Sequence, residues 1–268
     1  GFPLAHEVFA GQRQDRQTVA AMLDSLAQRV GAPPGATVVV DRGMAYAENL
    51  AAIRARGLHY LVAARQPERE PWLAEFAAEE GWEDVPRTPS PRHPGQHKTR
   101  VEIKRRQAGD EVVVLCWSEG REAKDHAIRE KHEARLQAAL GRLQRRVAAG
   151  WLKAAAKIQE AIGRLRERYP RVARYYAITY DAAQRQLTWT EDAAGKTAAA
   201  TLEGGYLLKT DRPDLTADEI WRTYILLTRV ETAFRAMKSP LLERPIFHQL
   251  QHRVETHLFL CVLAYHLL

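Results

Sequence analysis

Cysteine is nearly absent: the chain has two in 268 residues, Cys116 and Cys261, each set in an apolar run. Two isolated thiols exclude a disulfide framework and a cysteine-based zinc site. They read as buried, reduced thiols of a cytosolic protein. Long hydrophobic runs are lacking too. The longest, Leu258–Leu268 around His266, is too short to span a bilayer, so no membrane partner is expected. The start, Gly1-Phe-Pro-Leu-Ala-His, lacks the basic residues and long apolar core of a signal peptide. No initiator Met is present and the chain stops inside an apolar helical pattern, so both ends read as cut. No internal repeat is apparent.

What is there is ordinary in bulk. A hydrophobic content of 46% and a charged content of 27% describe a globular chain with one large domain, or one domain carrying an insertion. The net charge of +7 is compatible with a polyanionic partner. Between Arg121 and Arg168 there are 13 Lys and Arg against 6 Asp and Glu, an excess equal to that of the whole chain. This segment reads either as a helical pair able to track a DNA backbone or as a solvated pair kept soluble by its charge.

Apolar spacing predicts the elements. Phe2–Phe9 reads as a strand, and Asp15–Val30 as a helix with Asp15 as its N-cap. Ala36–Asp41 is an apolar run ending in an acid, predicting a buried parallel strand. A helix over Tyr46–Arg56, stopped by Gly57, leads to a second buried strand at His59–Ala64. Strands follow at Thr99–Arg105 and Glu111–Trp117. Residues from Gly120 to Arg168 are helical, as one long helix or as two joined at Gly150. Tyr175–Tyr180 and Arg185–Thr190 predict a hairpin. Gly205–Thr210 predicts another strand, and Thr216–Met237 a helix opened by the capping pair Thr216 and Glu219. Gln249–Leu268 closes the chain as a helix, on which His248 and His252 read as part of a polar face. The fold class is α/β.

The chemistry concentrates in Tyr224–Lys238. Tyr224, Glu231 and Lys238 are spaced by seven residues, two helical turns, and so share a face with Arg235. Ile225, Val230, Phe234 and Met237 supply a side to bury. A carboxylate held among cations on a packed helix suits metal-assisted phosphate chemistry. The stretch resembles the Tyr-x2-Arg-x3-Glu-x6-Lys pattern of the IS4-group DDE transposases. Leu227 stands where that pattern has Arg, with Arg229 and Arg235 nearby. The following Ser-Pro-Leu-Leu-Glu-Arg-Pro-Ile-Phe-His248, with His257, resembles the IS1634 branch. Residues 1–15 resemble the family's segment that follows its first acid.

The resemblance implies an RNase H-like core in residues 1–64 and 205–268, with residues 65–204 as a β-rich and helical insertion. It implies cleavage and strand transfer at the ends of an insertion sequence, with Mg²⁺, or Mn²⁺ as substitute, held by three carboxylates. Asp41 and Glu231 match the second and third acids, as catalytic and metal-binding residues. The first is expected upstream of Gly1, leaving this chain catalytically incomplete. Tyr224, Arg229, Arg235 and Lys238 are the expected DNA contacts. The implied partners are double-stranded DNA, as terminal inverted repeats and target, and further copies of the chain, in the bacterial cytosol.

Each residue also has a plainer reading. Asp41 is a turn acid at a strand end, Glu231 a surface partner of Arg235, Tyr224 a core aromatic, Lys238 a cation at a helix C-terminus. Asp211 reads as a loop cap. Two rival functions follow: a non-catalytic DNA-binding remnant of a transposase, and an RNase H-like nuclease without preference for transposon ends.

Overall fold

The computed structural model describes residues 6–29, 31, 33–89, 94–95, 97–241 and 243–267. Its elements run α1 (Val19–Arg29), β1 (Thr37–Val40), α2 (Ala47–Arg54), β2 (His59–Ala63), α3 (Leu73–Ala77), β3 (Glu83–Asp84), β4 (Val101–Ala108), β5 (Glu111–Ser118), α4 (Glu119–Ala148), α5 (Ala155–Arg168), α6 (Pro170–Ala173), β6 (Tyr176–Asp181), β7 (Gln186–Glu191), α7 (Ala193–Thr201), β8 (Gly205–Thr210), α8 (Ala217–Ile225), α9 (Leu227–Lys238) and α10 (Gln251–Leu267).

A six-stranded mixed sheet, ordered β1-β2-β8-β5-β4-β3, organises the molecule. β1 and β2 are parallel, with Val40 opposite Val62, while β8 runs antiparallel to both β2 and β5. Strand alternation sends Leu61, Ala63, Val112, Val114, Cys116 and Leu208 to one face, under Ile220 and Trp221 of α8. On the other face Tyr60 and Val62 meet Leu23, Leu50 and Ile53 of α1 and α2, and Val113, Leu115 and Leu207 meet Trp72, Phe76 and Trp82. The result is a mixed α/β fold of three layers. β6 and β7 form a separate two-stranded sheet that shares a second core with α4 and α5, through Leu136, Leu140, Leu143, Ile158, Ile162 and Leu187.

Several expectations are met. The strands at β1, β2, β4, β5 and β8 lie where the apolar runs place them, and the capping box of Thr216 and Glu219 is formed on both sides. Both cysteines are free and buried. The Arg121–Arg168 segment divides into two helices: Gly150 takes a positive φ of 71°, which favours glycine, and α5 folds its apolar stripe onto that of α4.

Others need correction. The expected strand over Phe2–Phe9 begins outside the described residues, and His6–Phe9 are not in a strand. Asp15 caps nothing with its side chain. A 3₁₀ turn spans Asp15–Gln17, and the Asp15 carbonyl instead accepts from the Thr18 hydroxyl, so the α-helix starts later at Val19. β1 is only half-buried, because nothing described pairs with its outer edge. The helix expected over Thr216–Met237 is two helices, α8 and α9. The Thr228 hydroxyl takes the Ile225 carbonyl, and the Leu226 amide bonds Thr223 in a tightened i−3 turn. His248 precedes α10 rather than sharing its face with His252, and its ring sits edge-on to His257 at 5.7 Å. Trp151, inside the segment expected to be helical, lies between α4 and α5 and stands 81% exposed.

Candidate functional site

One end of the sheet collects the chemistry. Because β1 and β2 are parallel, their carboxyl ends coincide, and antiparallel β8 begins and β5 ends beside them. Asp41 follows β1 there. Its backbone is extended, and its Oδ1 accepts the Arg42 amide at 2.7 Å, capping a 3₁₀ turn over Arg42–Met44. The turn-acid reading is therefore realised through Oδ1. Asp41 lines an open recess of about 450 Å³ with Asp15, Arg16, Met44 and Tyr46.

Tyr224, near the end of α8, packs half-buried against the core beneath that end. Its phenol is held above the ordinary tyrosine range. Burial is the largest cause; Asp41 and Glu231 push the same way, and Arg42 and Arg121 oppose them. One hydroxyl thus senses both candidate acids, which come from opposite ends of the sequence. Glu231 is exposed on α9 and forms no ion pair with Arg235. The buried side of α9 is Ala233 and Met237, whereas Val230 and Phe234 are 41% and 49% exposed; the expected apolar stripe is corrected accordingly. Arg229, Arg235 and Lys238 are exposed, and the Lys238 ammonium lies 5.6 Å from the centroid of the Phe234 ring.

Asp211 belongs elsewhere. At the opposite end of the sheet it accepts from the Tyr60 amide at 3.0 Å and approaches Arg54. It is a structural clamp between β8 and β2.

Among the described residues no group of three or more His, Cys, Asp or Glu could hold a metal ion. Asp41 and Glu231 are hard oxygen donors of the type that Mg²⁺ accepts, but a pair does not make the three-carboxylate set.

The neighbours of this end were not singled out from the sequence as site residues. Arg42, Arg69, Arg121 and Lys124 line a recess of about 300 Å³ with Gln66, Asp125 and Tyr206. They come from four separate stretches of chain, and only the fold assembles them. The one available signal was the basic excess from Arg121 onward.

The model of the family described as "Transposase DDE domain" matches residues 1–267. The chain belongs to that transposase family, whose general activity is transposition chemistry on DNA. No curated protein and no solved structure matches it. Among the described residues no helix is long and apolar enough to cross a membrane.

Proposed function

We propose that this chain belongs to an IS4-group, IS1634-like transposase, and that its sheet is the RNase H-like core of that enzyme. In this reading residues 1–64 and 205–268 make the core and residues 65–204 are an insertion whose β4–β5 hairpin extends the core sheet. Asp41 and Glu231 are the second and third acids, which take Mg²⁺, or Mn²⁺ in its place. Tyr224, Arg229, Arg235 and Lys238 meet the phosphates of transposon-end and target DNA, and the working form is a cytosolic assembly of several copies. The observation that carries the proposal is the family match over residues 1–267, supported by the packing of Tyr224 on the same core cluster as Val39 of β1, the strand that leads to Asp41.

A divalent metal held by Asp41 and Glu231 would supply charge neutralisation at the phosphate undergoing attack. The chain's own residues do the rest. The neutral phenol of Tyr224 donates a hydrogen bond to a phosphate oxygen, and the α9 cations hold the flanking backbone by charge. With only two acids of the triad matched in this chain, we read it as incomplete for cleavage. The rival, a non-catalytic DNA-binding remnant, is favoured by Leu227 at the position of the pattern's Arg.

Mn²⁺ titration followed by NMR tests the site without requiring turnover. Paramagnetic broadening should appear together around Asp41 and Glu231 and vanish in Glu231→Gln. Broadening confined elsewhere would overturn the metal site. Mg²⁺-dependent nicking of duplex DNA that survives Glu231→Gln would overturn the role of Glu231. Nicking by the unaltered chain that is lost in Glu231→Gln would overturn the incompleteness.

A further inference from the structure

The recess beside Asp41 has a charge imbalance that the fold maintains at a cost. Four cations, Arg42, Arg69, Arg121 and Lys124, face one acid, Asp125. Among the described residues no carboxylate forms an ion pair with Arg42, Arg121 or Lys124. Asp125 is itself engaged by the Gly204 amide at 3.2 Å. Each cation is fixed by its element. Arg42 opens the 3₁₀ turn after Asp41. Arg121 lies in the first turns of α4 with its guanidinium 4.1 Å from the centroid of the Tyr206 ring. Arg69 donates to the Leu202 and Gly205 carbonyls at 2.9 and 2.5 Å. Arg69 is pulled below the ordinary arginine range, first by burial and then, against Asp125 and Glu70, by Arg42 and Arg121. Like charges crowded around an open, polar hollow await an anion.

We propose that Arg42, Arg121 and Lys124 clamp backbone phosphates of the DNA strand that enters the site between Asp41 and Tyr224, with Arg69 as the half-buried post that shapes the clamp. The position supports this assignment. Arg42 is adjacent in sequence to Asp41, and Arg42 and Arg121 are the two cations that act on the Tyr224 phenol. A strand reaching the acids from the α4 side passes over this recess. Guanidinium groups suit phosphate because their planar forks match two oxygens, and Lys124 adds a flexible point charge. Contacts of this kind fix register and bear no base information, so the clamp accepts any sequence. The inference rests on the transposase reading for its ligand, DNA, and adds a second set of contacts to those expected on α9.

The test is binding of a short labelled duplex of arbitrary sequence, followed by fluorescence anisotropy across a salt series without metal. The variants are Arg121→Gln/Lys124→Gln and, as a control near the far end of α4, Arg142→Gln/Arg146→Gln. Arg69 is left intact because its carbonyl contacts hold the chain before β8. The slope of log K against log salt should become shallower by about 0.9 for each phosphate contact removed, so by close to two in the clamp variant. Equal slopes for the clamp variant and the unaltered chain, with unchanged thermal unfolding, would overturn the clamp while leaving the acid site standing. A shallower slope in a chain that shows no shared Mn²⁺ site would leave the clamp standing and overturn the acid site. No binding by the unaltered chain overturns the clamp whatever Mn²⁺ shows. If the clamp variant unfolds, Arg121→Lys, which keeps the charge, should restore most of the slope; failure of that rescue overturns the clamp.

Discussion

The carboxylate of Asp41 opposes ionisation of the Tyr224 phenol, although β1 and α8 stand at opposite ends of the sequence. Burial is the larger cause, and Asp41 is the first charge to reinforce it. Replacing Asp41 with Asn should therefore lower the pKa of Tyr224, and Glu231→Gln should lower it less. Arg121→Gln should raise it, because that cation favours the phenolate. Titration of ring-labelled tyrosine by NMR reads all three. An unmoved Tyr224 in Asp41→Asn would show that the two residues do not share one site.

Local pattern made much of this arrangement legible. Ala36–Asp41, His59–Ala64 and Gly205–Thr210 are short apolar runs closed by turn residues, and each is a strand because nothing competes with that reading. The break between α8 and α9 was not legible. It depends on whether the Thr228 hydroxyl turns back to Ile225, a choice that spacing does not encode. Nor was the exposure of Phe234, since a helical wheel ranks faces by apolarity but does not say which face meets a partner. Arg42, Arg69, Arg121 and Lys124 carry no common motif. Their grouping follows from β8 pairing between β2 and β5, a long-range choice that no local window contains.

Alkaline pH should destabilise the fold beyond the usual tyrosine range. Tyr60, Tyr206 and Tyr224 are pushed up, in each case first by burial; Glu111 adds to the shift at Tyr60 and Cys116 at Tyr206. Tyr176 is pushed up to about 12 by burial and by its hydrogen bond to Glu133. A raised folded pKa means that the native state keeps its proton while the unfolded chain releases it. The stabilisation is thus complete below pH 10.0, the ordinary tyrosine value, and is lost as pH rises through the folded values. Urea midpoints should fall above that pH, and the share of phenolate absorbance that Tyr60→Phe, Tyr206→Phe or Tyr224→Phe removes should appear only as the protein unfolds. Absorbance that one of these variants removes, yet that is present at the ordinary tyrosine pH in the folded protein, would contradict the burial of that group.

Lys104 is the most deeply buried charge described, at 1% exposure. Its ammonium donates to the Glu75 carbonyl at 2.9 Å and the Ala78 carbonyl at 3.3 Å, and lies 4.9 Å from the centroid of the Trp82 ring. It thereby fastens the end of α3 to β4. Lys104→Met keeps much of the volume but leaves both carbonyls without their donor, and should cost roughly 2–4 kcal/mol in chemical denaturation. A loss below about 0.5 kcal/mol, the range of ordinary surface substitutions, would mean that water replaces the ammonium and that the Glu75–Ala78 turn is not held by it.

Gly204 fixes where α4 meets the sheet. Its φ is +75°, and a Cβ there would stand 2.8 Å from the Ser118 carbonyl oxygen, 2.8 Å from the Glu122 Cβ and 2.9 Å from the Glu122 amide. The Ser118 amide also donates to the Gly204 carbonyl at 3.2 Å, so the contact is backbone on backbone and cannot be relieved by a rotamer. Gly204→Ala should therefore lose about 1–2 kcal/mol from the left-handed backbone and a comparable amount from the clash. The strain falls on the first turns of α4, which carry Arg121 and Lys124. DNA affinity should thus fall along with stability, even though no charge is altered. Thermal unfolding and the duplex-binding salt series, measured on the same preparation, check both effects. Full stability with weakened binding would show that the first turns of α4 move freely of the sheet, and unchanged values of both would show that the close approach at Gly204 is relaxed in solution.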